Sequence, residues 1–181
     1  MLMNFYRFPL ILLFLLNFLV YSQEKKTGPV IENYGAVFQV DKPDFVTNTD
    51  QEFKVVFDVK DGPKSDTELN RNIETVARFL NMHVQSGIPL SQLKVALIVH
   101  GTAARNLLSD EAHQKRYTTL NPNRELIEKL LEAGVEVIMC GQSSNARDLP
   151  KEDLIPGVKI ALSAMTANIQ LQNQGYRPIK L

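Results

Sequence analysis

Apolar residues change their spacing along the chain in a regular way, and the spacing predicts the elements. EFKVVFDV, 52–59, is dense in β-branched and aromatic residues, the composition of a strand, and DGPKSD ends it. Between 67 and 85 the spacing becomes helical. Leu69, Ile73, Val76, Leu80 and Val84 recur at intervals of four and three and share one face. Asp66 is the expected N-cap, and Gly87 with Pro89 the stop. LKVALIVHG, 93–101, is apolar almost throughout, as in a strand covered on both sides.

The segment ARNLLSDEAHQKRY is expected to be helical or irregular. Asn121 and Pro122 open a further helix, with Leu126, Ile127, Leu130 and Leu131 as its apolar face and Gly134 as its stop. VEVIMC, 135–140, and PGVKIALS, 156–163, predict two more strands. Residues 164–174 predict a short helix closed by Gly175. YRPIKL predicts a last strand, at an edge of the sheet, because Pro178 cannot donate to a ladder. Met139 and Met165 are expected in the core.

Strands alternating with helices imply an α/β fold: a three-layer α/β/α sandwich around a mostly parallel sheet. Two segments fall outside that scheme. Residues 1–22 carry Arg7, an apolar run from Phe8 to Val20 and a small residue, Ser22, the pattern of a secretory signal peptide cleaved after Ser22. The run is short for a membrane span, although an uncleaved N-terminal anchor is the rival reading. No lipobox cysteine follows it. Residues 23–50 form an N-terminal extension rich in turn residues, in which AVFQV is at most a short strand. It is placed to cover a sheet edge or to meet another subunit. Residues 51–181 form the α/β domain, and the expected location is exported, periplasmic or secreted.

Charge narrows the function. Twenty basic residues balance twenty acidic ones, without the basic stripe of a nucleic-acid binder or the polybasic patch of a membrane-surface protein. The single cysteine, Cys140, excludes an intrachain disulfide. It leaves a buried inert thiol, a reactive thiol or a crosslink between subunits.

Sites in open parallel sheets lie beyond the carboxyl ends of the strands. After the second strand come His100 and Gly101, and further on Arg105. After the third come Cys140, Gly141, Gln142, Ser143 and Arg147. The small residues leave backbone N–H groups open to an anion. Cationic neighbours and such N–H groups lower a thiol pKa, and His100, Arg105 and Arg147 are the candidate cations. Cys140 is thus the candidate catalytic residue, and His100, Gly101, Gly141, Gln142, Ser143 and Arg147 are the candidate binding residues. Each has a plain alternative: Cys140 as a small apolar side chain, His100 as a backbone partner, and the arginines as solvated charges. No spacing joins His83, His113 and Cys140 into a metal site, and no Walker loop, GxGxxG or GxSxG is present, so neither metal nor cofactor is expected.

VVFDV, KVALIVHG, NPNRELIEKLLEAGVEVIMCGQS and LIPGVKIALSAMTANIQLQNQGYRPI together resemble the DsrE/DsrF-like family, and with GPVI at 28–31 its exported, signal-peptide-bearing subgroup. The resemblance implies a five-stranded parallel core sheet and homo-oligomers, trimers or hexamers. In sulfur-relay members a strand-end cysteine accepts and passes on sulfur as a persulfide. Cys140 lies where the exported subgroup has its cysteine. Two functions follow as expectations. One is a sulfur carrier or transferase with donor and acceptor proteins as partners. The other is a non-catalytic module that binds a small ligand or assembles with itself, with Cys140 structural.

Overall fold

The computed structural model describes residues 24–181 apart from Lys180. The expected leader, 1–22, lies outside the described residues. Five strands form one all-parallel sheet: β1 (Phe53–Val59), β2 (Leu93–Val99), β3 (Glu136–Cys140), β4 (Lys159–Ala161) and β5 (Arg177–Ile179), in the order β4-β3-β2-β1-β5. β5 is an edge strand, where Pro178 leaves no central ladder bond missing. β4 is shorter than the expected 156–163, because Pro156 and Gly157 turn before it, with Gly157 at φ +96°.

Helices lie on both faces. α1 (Arg71–Gln85) and α3 (Arg124–Glu132) cover one, joined by the short α2 (Asp110–Tyr117). Ile73, Val76, Ala77 and Leu80 of α1 and Leu126, Ile127 and Leu130 of α3 pack on Val55, Phe57, Val95, Leu97 and Val137. Strand alternation sends Val56, Ala96, Ile98, Ile138 and Cys140 to the other face. There the one helix of that cluster, α5 (Ala164–Asn173), packs through Ala164, Ala167 and Leu171. Met139 is core as expected, but Met165 is 74% exposed. It lies on the outer side of α5, and nothing in that weakly patterned helix marked it so.

Gly87, Gly134 and Gly175 follow α1, α3 and α5 with φ near +90°, as helix stops. The start of α1 differs from expectation. Asn70, not Asp66, caps it, its Oδ1 accepting from the Asn72 and Ile73 N–H groups at 3.0 and 3.4 Å. The reason is a buried asparagine network. Asn70 also donates to Asn106 Oδ1 at 2.9 Å, and its own N–H donates to Asn123 Oδ1 at 2.7 Å. Asp66 pairs instead with Arg105, at 3.0 Å. At α3, Asn123 holds the cap position and Asn121 reaches back to the Asn106 and Leu108 carbonyls.

The extension packs on α1 and, over its described residues, pairs with no strand of the sheet. Ile31 and Val37 are buried, and Lys26 and Val37 form an isolated antiparallel bridge in place of a strand at 36–40. Asn81, fully buried on α1, holds the segment. It accepts from the Val30 and Ile31 N–H groups and donates to the Ile31, Tyr34 and Gly35 carbonyls. Residues 38–50 are exposed throughout.

Candidate functional site

The carboxyl ends of β1, β2 and β3 form the rim. Cys140 ends β3 on the thinly covered face and is 5% exposed. The run after it is not a loop. Residues 141–146 form a short helix, α4 (Gly141–Ala146), capped by Cys140. Gly141 permits the sharp turn, since a Cβ there would sit 2.6 Å from the Ala161 carbonyl oxygen of β4. That close approach brings the amino ends of two helices, α4 and α5, to one sulfur.

The surroundings of the thiol favour its anion on balance. Burial pushes its pKa up, but the N–H groups of Ser143, Ala164 and Gln142 and the Ser143 hydroxyl all favour the thiolate, and the net result is a lowered pKa. The hydroxyl's direction follows from its other partner. Gly101 N–H donates to Ser143 Oγ at 3.0 Å, so the Ser143 proton is free to point at the sulfur. Gly101 can make this contact because it sits at φ +57°, where a Cβ would meet the Lys60 carbonyl at 2.6 Å. Gln142 secures the rim from the other side, its Nε2 donating to Leu162 O at 3.2 Å. An open hollow of about 480 Å³ adjoins, lined by Gly141, Gln142, Ser144, Ile160 and Leu162 among others.

His100 lies on the same face. β2 and β3 pair in register from Ala96–Glu136 to Val99–Met139, so His100 stands one step further, level with Cys140. Its Nε2 pairs with Asp58 Oδ1 at 3.0 Å, and Asp58 Oδ2 accepts from Asn168 of α5 at 2.9 Å.

The structure therefore gathers Cys140, His100, Gly101, Gly141, Gln142 and Ser143 at one rim. It does not gather the arginines. Arg147 caps the far end of α4, exposed, and makes no ion pair among the described residues. Arg105 turns to the opposite face, where it bonds Pro63 O and Asp66 and lies over the Tyr117 ring. Backbone and hydroxyl donors, not cations, lower the thiol pKa. Sequence reasoning missed Asp58 and Asn168. The available signal was parity: Asp58 is two residues beyond Val56 and faces the same way. Among the described residues no three His, Cys, Asp or Glu side chains are grouped to hold a metal, and no helix is long and apolar enough to cross a membrane.

No curated protein matches the chain. Its fold is similar to that of MTH1491 from Methanobacterium thermoautotrophicum, a protein of unknown function (TM-score 0.54, 15% identity), over 72% of this chain and all of that one. It is also similar to the ychN protein from E. coli (TM-score 0.51, 20% identity), over 70% of this chain and 96% of that one. At such identities the likeness concerns the fold alone. The model of the DsrE/DsrF-like family matches residues 54–181, well over half of the chain, and the protein belongs to that family.

Proposed function

We propose that this protein handles sulfur, with Cys140 as the acceptor thiolate. The carrying observation is the place of Cys140, at the end of β3 and the start of α4, where nearby backbone N–H groups and the Ser143 hydroxyl lower the thiol pKa against its burial. Such a setting stabilises a sulfur anion, whether thiolate or the persulfide anion that follows it. The thiolate attacks the outer sulfur of a donor persulfide, R–S–SH. A new S–S bond forms at Cys140, the donor's S–S bond breaks, and R–S⁻ leaves. An acceptor thiolate takes the sulfur on by the same exchange. The reading draws on the sulfur-relay members of the family, and it includes export behind a cleaved leader and assembly with identical copies.

A second reading keeps Cys140 as packing and makes the rim a binding or assembly surface. Its support is the thiol's burial together with the apolar residues beside it, Leu162, Met165 and Ile169, at 73, 74 and 60% exposure. One experiment separates the two. The protein from residue 23 onward is exposed to a small alkyl persulfide and weighed intact. The first reading expects a gain of one sulfur atom, absent in Cys140→Ser. A thiol that stays unmodified until the protein unfolds leaves the second.

A further inference from the structure

We propose that His100, held by Asp58 and Asn168, is the proton donor to the sulfur that leaves when the Cys140 thiolate attacks; this rests on the sulfur-handling reading. The observation is a chain of polar side chains across three elements. Asn168 of α5 donates to one Asp58 oxygen at 2.9 Å, and the other Asp58 oxygen pairs with His100 Nε2 at 3.0 Å. A carboxylate only accepts, so the proton on this side of the ring sits on Nε2. Asp58 thereby fixes the ring's orientation and leaves Nδ1 for exchange. The sheet supplies the placement. Asp58, His100 and Cys140 alternate onto one face of β1, β2 and β3, and His100 is level with Cys140 across one strand spacing of about 4.8 Å.

That offset suits the leaving sulfur better than Sγ itself. The groups that lower the pKa of Sγ come from α4 and the start of α5, and His100 is not among them. In an in-line attack the leaving sulfur stands beyond the attacked one, roughly 4 Å from Sγ or two S–S bond lengths, on the scale of the spacing that separates His100 from Cys140. The step balances. Cys140–S⁻ attacks R–S–S–R, one S–S bond forms and one breaks, and R–S⁻ takes the proton of protonated His100 to leave as R–SH. His100 is a quarter exposed and regains its proton from solvent. Asp58 and Asn168 are positioning residues that act through His100.

The test uses leaving groups. The mature chain is reacted with a series of small symmetrical disulfides, from aromatic ones with acidic thiols to alkyl ones with basic thiols. Acidic thiols leave well unaided, and basic ones need the proton. His100→Gln and Asp58→Asn are expected to lose about two-fold with the aromatic disulfide and ten-fold or more with the alkyl one. Asn168→Ala, a milder change should Asp58→Asn fold poorly, shows the same trend with a smaller slope. A loss uniform across the series, or no loss, overturns the role of His100 while leaving sulfur transfer intact. A wild-type protein that takes no sulfur from a persulfide overturns the underlying reading and this one with it.

Discussion

The two faces of the sheet do different work. On one, residues from all three central strands interlock with α1, α3 and the extension, down to Phe57 at 1% exposure. On the other, the cluster is small, α5 is its one helix, and three polar residues, Asp58, His100 and Cys140, occupy the strand ends. A thick layer excludes water and supplies stability through apolar area and dispersion. A thin one leaves strand ends close to solvent, where a thiol can be both anchored and approached. The parity of each strand divides the two: odd positions in β1, β2 and β3 build the thick core, and even ones near the carboxyl end form the candidate site.

Four substitutions sharpen that contrast. The largest expected effect is on the thick face. Phe57→Ala removes a fully buried ring that meets Phe79 edge-on at 5.7 Å, and is expected to cost about 4 kcal/mol. Leu171→Ala on the thin face is expected to cost about 2 kcal/mol, since solvent is near enough to relax the cavity. Urea unfolding of both variants, with unchanged slopes, measures the difference; equal losses would erase the distinction between the faces.

Next comes Gly141→Ala. Its methyl cannot occupy the space beside the Ala161 carbonyl, 2.6 Å away, so α4 must shift and carry the Gln142 and Ser143 donors with it. Alkylation of Cys140 at neutral pH is expected to slow by about ten-fold, the equivalent of 1.4 kcal/mol of lost thiolate stabilisation. The thermal midpoint should move little by comparison, because the thick face is untouched. A large drop in stability with unchanged alkylation would reverse the assignment.

Ser143→Ala is the smallest. It removes one hydroxyl donor and leaves three backbone N–H groups. A lowered pKa means the thiolate persists to lower pH, so the wild-type alkylation profile should rise below the ordinary thiol midpoint of about 8.5. In the variant the profile moves up toward that value, and alkylation at neutral pH slows about five-fold, as for one hydrogen bond of about 1 kcal/mol. A profile that moves down, or not at all, would show that the hydroxyl does not face the sulfur.

The fold was legible because its signals are backbone signals. Continuous apolar runs marked β2 and β3, left-handed glycines marked three helix ends, and Pro178 marked an edge. Misplacements arose where two residues of one kind compete. Asp66 and Asn70 both suit an N-cap, and the Asn70–Asn106–Asn123 network, formed by residues 17–53 positions apart, chose between them. Likewise GQSSNA has no strong helix preference; α4 forms because the chain must turn at Gly141 beneath the Ala161 carbonyl. At the site, sequence placed the thiol, the imidazole and the small residues on the rim. It misjudged what perturbs the thiol. Arginines advertise charge in a sequence, whereas N–H donors are invisible until the backbone is folded.

The burial of Cys140 also decides what can meet it. An interchain disulfide requires the two Cα atoms to come within about 7 Å. Cys140 ends an inner strand, packed with α5 and beside β4 and 5% exposed, so the same residue of another copy would have to enter the fold to come that near. A slender sulfur compound or a narrow protruding loop faces no such bar. On the sulfur-handling reading, that placement acts as a size filter: it favours exchange with small sulfur carriers over a disulfide between two copies of the chain.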